Sequence, residues 1–254
     1  MVRSRVIPAL LLHGVGLVKT VGFEKPKYVG DPRNAVKIFN EKMVDELVLL
    51  DIAATPEKRS PRFALVEEIV SEAFMPVAYG GGIRSVEDAS SMIARGVEKI
   101  IVGSHAVRNP AFIKELTSRL GSQSVIICLD VKYTKPEGYR LYTDSGRKST
   151  RLKPADFARE AQALGAGEIM VNSIDRDGTM VGYDLELIRA VSETISVPLI
   201  ACGGAGSLLD IKAVVREGGA SAAAAGSLFV FHGRYRSILI SYPQPHQLDE
   251  VLPS

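Results

Sequence analysis

Pro76-Val77-Ala78-Tyr79-Gly80-Gly81-Gly82-Ile83-Arg84 and, 122 residues later, Pro198-Leu199-Ile200-Ala201-Cys202-Gly203-Gly204-Ala205-Gly206 decide the fold. Each is a proline, a short apolar run and a glycine pair. The pairing continues outward. Gly103-Ser104 closes the next run, and Gly226-Ser227 closes its counterpart 123 residues on. Glu46 and Glu168, each opening an apolar run, are again 122 apart. Half of the 254-residue chain is close to that offset, so the sequence reads as two similar halves. Eight nearly continuous apolar runs follow: Arg5–Leu12, Glu46–Asp51, Pro76–Tyr79, Lys99–Val102, Val125–Val131, Glu168–Ser173, Val197–Cys202 and Ala220–Gly226. Strands covered on both faces look like this.

Helical patterns with start signals separate the runs. Asp31-Pro32 puts a capping side chain before a first-turn proline. Ser85 through Asp88 supplies a cap followed by acids, and Ser207 through Asp210 repeats the device. Strand then helix eight times, in two halves, predicts a single (β/α)₈ TIM barrel spanning residues 1–254 as one domain with a two-fold half-barrel repeat. A doubly wound open sheet is the alternative. One connection stands out: Tyr133 to Thr150 alternates Tyr139, Leu141 and Thr143 between turn residues, which predicts a hairpin on the rim.

Composition narrows the function. Hydrophobic residues make up 46% and charged residues 24%, with a net charge of +2, so no basic block invites nucleic acid. The run Val6–Leu12 is too short to cross a bilayer and lacks a cleavage pattern after it. A cytoplasmic protein is expected, with Cys128 and Cys202 as reduced, buried thiols. No metal or cofactor is called for.

The C-terminal ends of the strands are where a barrel does chemistry. A glycine pair there lets anionic oxygens approach backbone N–H groups. Gly81, Gly82, Gly103 and Ser104 form one candidate phosphate site; Gly203, Gly204, Gly226 and Ser227 form another, at the usual barrel position after the last two strands. The plain alternative at each is a tight strand–helix turn. Two such sites imply a phosphorylated small molecule with anionic groups at both ends. Between them lie Lys19, Asp51, Asp130 and Asp177. Asp51 and Asp130 each end a strand, where a carboxylate suits acid–base work. Asp177 precedes Gly178, so a turn-stabilising role is equally open.

These stretches resemble a known family. Val48 to Ile52, Gly80 to Arg84, Gly121 to Ser124, Ser173 to Thr179 and Gly203 to Gly206 are similar, in order, to the cyclase subunit of imidazole glycerol phosphate synthase, HisF. The resemblance runs from about Arg5 to Phe231. It implies a barrel that receives ammonia from a HisH-like glutaminase at its N-terminal face, and that aminates and cyclises a bisphosphorylated ribulosyl intermediate. It further implies that Arg5, Glu46, Lys99 and Glu168 form a charged gate on the barrel floor, with ion-paired stabilisation of that floor as the structural alternative. Asp130 matches one of the family's two catalytic aspartates. The other is absent: Ala9-Leu10-Leu11-Leu12-His13 places Leu11 in its position, with His13 farther up the rim. A branch with this departure, the WbuZ or second-HisF proteins of surface-polysaccharide pathways, is similar also in Gly16 to Val21, Pro26 to Pro32 and Gly226 to Phe231. Membership there implies passage of ammonia to a separate sugar amidotransferase acting on a nucleotide-activated acetamido sugar. Two other readings stand beside it: a working histidine-pathway cyclase, and a non-catalytic scaffold that activates its glutaminase. Gly103 and His105 replace family residues at the first phosphate site.

Overall fold

The computed structural model describes residues 3–252. Eight strands form the barrel wall: β1 (Arg5–His13), β2 (Leu47–Asp51), β3 (Val77–Gly80), β4 (Lys99–Val102), β5 (Val125–Thr134), β6 (Glu168–Ser173), β7 (Leu199–Cys202) and β8 (Ala222–Ala225). Each lies parallel to its sequence neighbour from β1 to β8. Parallel pairing of Arg5 with Ala222 through Pro8 with Ala225 then joins β8 to β1 and closes the circle. Closure leaves the barrel wall without an edge and excludes the open-sheet alternative. Every expected run contains a strand, but the bounds differ. β2 begins at Leu47 rather than Glu46, β7 at Leu199 rather than Val197, and β5 continues to Thr134.

Strand periodicity sorts the apolar residues into two cores. Ile7, Ala9, Val48, Ala78, Ile101, Ile126, Met170, Ile200, Ala222 and Ala224 face inward and fill the barrel. Their alternates, such as Val6, Leu10, Leu49, Tyr79, Ile127 and Leu129, face outward beneath the helices. Each fully buried large aliphatic side chain of this kind contributes about 1.5–3 kcal/mol. The helices start where their caps predict. Asp31 accepts the N–H groups of Arg33 and Asn34 ahead of helix Pro32–Glu41. Ser85 accepts from Asp88 N ahead of Val86–Ile93, and Ser207 from Asp210 N ahead of Leu208–Arg216.

The repeat appears in the backbone. Gly81, Gly82, Gly203 and Gly204 all have φ between 77° and 118°. Gly103 and Gly226 share φ −108° and each precedes a short helix, Ser104–Arg108 and Ser227–Val230. The rim hairpin is present as well, β5 running back antiparallel through Gly138–Thr143. A second rim hairpin was not expected. β1 turns back into Gly16–Val21, which pairs with Glu24–Gly30. Its turn is Gly22-Phe23, both at positive φ (61° and 66°). The usual sequence signal for that turn is Asn-Gly or Asp-Gly. A phenylalanine in the left-handed region, with Pro26 inside the returning strand, hides it.

Candidate functional site

At the N-terminal end of the barrel the first inward side chains are charged, because Arg5, Lys99 and Glu168 open β1, β4 and β6 and Glu46 immediately precedes β2. They close a ring. Arg5 is paired with Glu46 and, at 2.5 Å, with Glu168; Lys99 Nζ lies 3.1 Å from Glu46 Oε1 and 2.7 Å from Glu168 Oε1. Both carboxylates are buried. Burial pushes the Glu168 carboxyl up, but the hydrogen bonds and charges of Arg5 and Lys99 outweigh it and hold the group below its usual range. Above the ring comes the apolar barrel interior, and above that the mouth.

The mouth is a cavity of about 510 Å³ whose walls reach down to Ala9, Ile101, Cys128 and Ala224. At its floor Asp130 and Asn172 sit side by side, paired in register across β5 and β6. Asn172 Nδ2 donates to Asp130 Oδ1 at 3.4 Å, while the buried Asn172 Oδ1 has no partner. Burial raises the Asp130 carboxyl to about 7; the bond from Asn172 opposes this and the charge of Asp177 adds to it. An acid of that strength near neutral pH can both give and take a proton. The sequence reading did not single out Asn172. A polar residue near the C-terminal end of the sixth apolar run was the available signal.

Lys19 enters from the unexpected hairpin. Its Nζ donates to the carbonyl of Ala9 at 2.5 Å, and the residue is buried. Burial lowers the amine to about 8, against the attraction of Asp177. Room for it comes from Gly226, where a Cβ would lie 2.1 Å from Nζ. Asp177 also serves the hairpin: its Oδ2 accepts from Thr20 Oγ1 at 2.7 Å and Phe23 N at 3.1 Å. Burial raises this carboxyl, opposed by those bonds and by Lys19. The side chain thus ties two rim loops together at the cavity wall, rather than bracing only its own turn.

Asp51 lines the same cavity, but its Oδ1 is occupied by the N–H groups of Ala53 and Ala54 and by Arg59 Nη2 at 2.8 Å. It anchors the loop after β2. Leu11 faces the cavity, level with Leu50 of β2 and Val18 of the hairpin. His13, at the end of β1, stands exposed on the cavity lip. The two thiols are free; burial holds Cys202 at about 12 and Cys128 also well above the usual thiol range, so both stay protonated.

All eight residues of the two proposed anion corners are brought to the rim. Gly81, Gly103 and Ser104 line one side of the mouth, with Gly82 in an adjoining cavity; Gly203, Gly204, Gly226 and Ser227 line the opposite side. Their glycines also answer to close packing. A Cβ at Gly81 would meet the Asp51 carbonyl oxygen at 2.4 Å, and one at Gly204 the Gly182 carbonyl oxygen at 2.2 Å. Among the described residues no cluster of three or more His, Cys, Asp or Glu could hold a metal ion, and no helix is long and apolar enough to cross a membrane.

Residues 5–236 match the family described as Histidine biosynthesis protein. The chain is 46% identical to a Pseudomonas aeruginosa protein provisionally named imidazole glycerol phosphate synthase subunit hisF2, over 98% of this chain and 99% of that one. It is 47% identical to the Vibrio vulnificus protein with the corresponding provisional name hisF3, over 99% and 97%. It is 42% identical to the imidazole glycerol phosphate synthase subunit HisF of Alkaliphilus metalliredigens, over 91% and 92%. With a closed barrel, a charge-ringed floor and full-length similarity of this order, the chain belongs to the histidine biosynthesis protein family and, within it, to the HisF barrels.

Proposed function

We propose that the chain is a synthase subunit that accepts ammonia from a HisH-like glutaminase docked at its N-terminal face. The ammonia travels through the barrel and serves the amidation of a nucleotide-activated acetamido sugar, with a separate amidotransferase as a further partner. The observation that carries this reading is the pairing of an intact floor with an altered mouth. Arg5, Glu46, Lys99 and Glu168 close a ring of alternating charge beneath an apolar interior. Ring pairs of this kind can part and re-form, and the side chains above them give ammonia no competing hydrogen bonds. At the other end Asp130 remains, but Leu11 lines the mouth at the position where the family resemblance implies a second acid. A leucine transfers no proton, and one positioned acid or base is worth roughly 10²–10⁴-fold in rate.

Lys19 and Asp177 complete the mouth, and the two glycine corners take the anionic ends of the substrate. Provision as a histidine-pathway cyclase is the second reading. It is favoured by the names of the relatives and by the retention of Asp130. The test is turnover of the bisphosphorylated ribulosyl intermediate with excess ammonia, alongside the Alkaliphilus protein. We expect a rate at least 100-fold lower for this chain, with glutamine-driven amidation of an acetamido sugar nucleotide once the glutaminase and amidotransferase are added. Cyclase turnover equal to that of the Alkaliphilus protein refutes the sugar reading.

A further inference from the structure

The two halves of the barrel repeat their backbone but not their charge. Beside the Gly81-Gly82 corner lies a second cavity, of about 360 Å³, walled by Lys58, Arg59, Arg84, Arg108, Arg147 and Lys148. Shifted by 122 residues, Lys58, Arg59 and Arg84 correspond to Met180, Val181 and Gly206, and Lys148 to Pro26, while Arg147 corresponds to Lys25; shifted by 123, Arg108 becomes Phe231. The opposite corner offers backbone N–H groups, the Ser227 hydroxyl and Lys19 on the cavity wall, with Arg176 packed against Gly204.

Carboxylates absorb part of this charge. Arg59 bonds Asp51 at 2.8 Å and Glu57 at 2.6 Å, and Arg108 and Lys148 share Asp144. Arg84 donates to the Lys58 carbonyl oxygen at 3.2 Å, which leaves its charge uncompensated. Lys58 and Arg147 make no side-chain ion pair among the described residues. Three cations thus face one cavity without a carboxylate partner. Asp88, the other acid beside Arg84, accepts that residue's backbone N–H. Burial, with Arg108 and Arg84 nearby, keeps His105 below its usual range, so its ring stays neutral there.

A single phosphate carries about two negative charges. Backbone donors with the single ammonium of Lys19 suffice for that at the opposite corner. Forked guanidinium groups and a spread of cations instead match a longer row of charged oxygens. We propose that the Gly81–Ser104 corner binds a diphosphate, the group carried by a nucleoside diphosphate or its sugar ester, while the Gly203–Ser227 corner takes no more than one phosphate. The two cavities share Gly81, Gly103, Ser104 and Arg147, so a sugar attached to that diphosphate would extend over the mouth toward Asp130. This inference rests on the reading that the mouth takes a phosphorylated substrate.

Calorimetric titration of the intact protein at 0.15 M salt tests it, with inorganic phosphate, inorganic pyrophosphate and UDP as separate probes. Pyrophosphate and UDP should bind at least tenfold more tightly than phosphate. Lys58→Ala with Arg147→Ala should erase that preference, lowering pyrophosphate and UDP affinity about tenfold more than phosphate affinity. Both side chains are exposed, and an unchanged circular dichroism melting curve will verify the fold. UDP equal to pyrophosphate assigns recognition to the diphosphate alone; UDP tighter still adds the nucleoside. Phosphate binding with no diphosphate preference overturns the inference and leaves the phosphorylated-substrate reading standing. No binding of any probe overturns both.

Discussion

Asp130→Asn should make the protein more stable, and more so as the pH rises. The carboxyl ionises at about 7 in the folded barrel, against an ordinary value of 3.8, chiefly because it is buried at the cavity floor. Between those two values the unfolded chain has lost a proton that the folded chain still holds. Stability contributed by this site therefore falls as pH rises from about 4 and levels off above about 7. Each pH unit of difference is worth about 1.4 kcal/mol, which sets a ceiling near 4 kcal/mol; water in the open mouth screens part of it, leaving about 2–4 kcal/mol. Asparagine carries no charge and keeps an oxygen for the amide of Asn172, so it escapes this cost. Urea unfolding at pH 5 and pH 8 measures the effect. The variant should gain at most about 1–2 kcal/mol over the parent at pH 5 and about 2–4 kcal/mol at pH 8, with equal m-values. A gain that is the same at both pH values, or a loss at pH 8, refutes the claim that Asp130 is a desolvated acid. A stabilised variant that also loses amidation would show a site residue kept at the expense of stability.

Lys99→Ala removes one of two cations from between two buried carboxylates. It should cost about 2–4 kcal/mol in denaturant unfolding at pH 7, since stranding a buried charge typically costs 3–5 and this site is partly open to solvent; a loss below 0.5 kcal/mol would mean the ring bears no structural load. Two glycines should respond in opposite ways to alanine. Gly204→Ala places a Cβ 2.2 Å from the fixed Gly182 carbonyl oxygen at φ 109°, so it should destabilise by about 3 kcal/mol or more. Gly226→Ala meets chiefly the movable end of Lys19, so it should cost under about 1.5 kcal/mol while displacing the amine and abolishing most amidation. Equal melting shifts for these two variants would contradict the packing described for the two positions.

The barrel was legible in the sequence because its determinants are local and repeated. Continuous apolar runs mark doubly covered strands, Asp31, Ser85 and Ser207 mark helix starts, and the 122-residue echo of glycine pairs marks the two halves. Asp130 could be named because a carboxylate ending a barrel strand is conspicuous, and Leu11 because a resemblance supplied what should stand there. The sequence could not reveal what distant segments do to one another. The hairpin after β1 turns on a phenylalanine at positive φ, and it is this hairpin that carries Lys19 to the carbonyl of Ala9. The partner of Asp130 lies 42 residues away on the neighbouring strand. Asp51 and Asp177 read alike as rim carboxylates, yet one anchors its own loop through Arg59 and the other binds a hairpin more than 150 residues upstream. Ionisation and charge balance depend on burial and on neighbours in space. Closing the chain into a circle sets both, bringing remote strand ends to one mouth and leaving cations concentrated on one side of it.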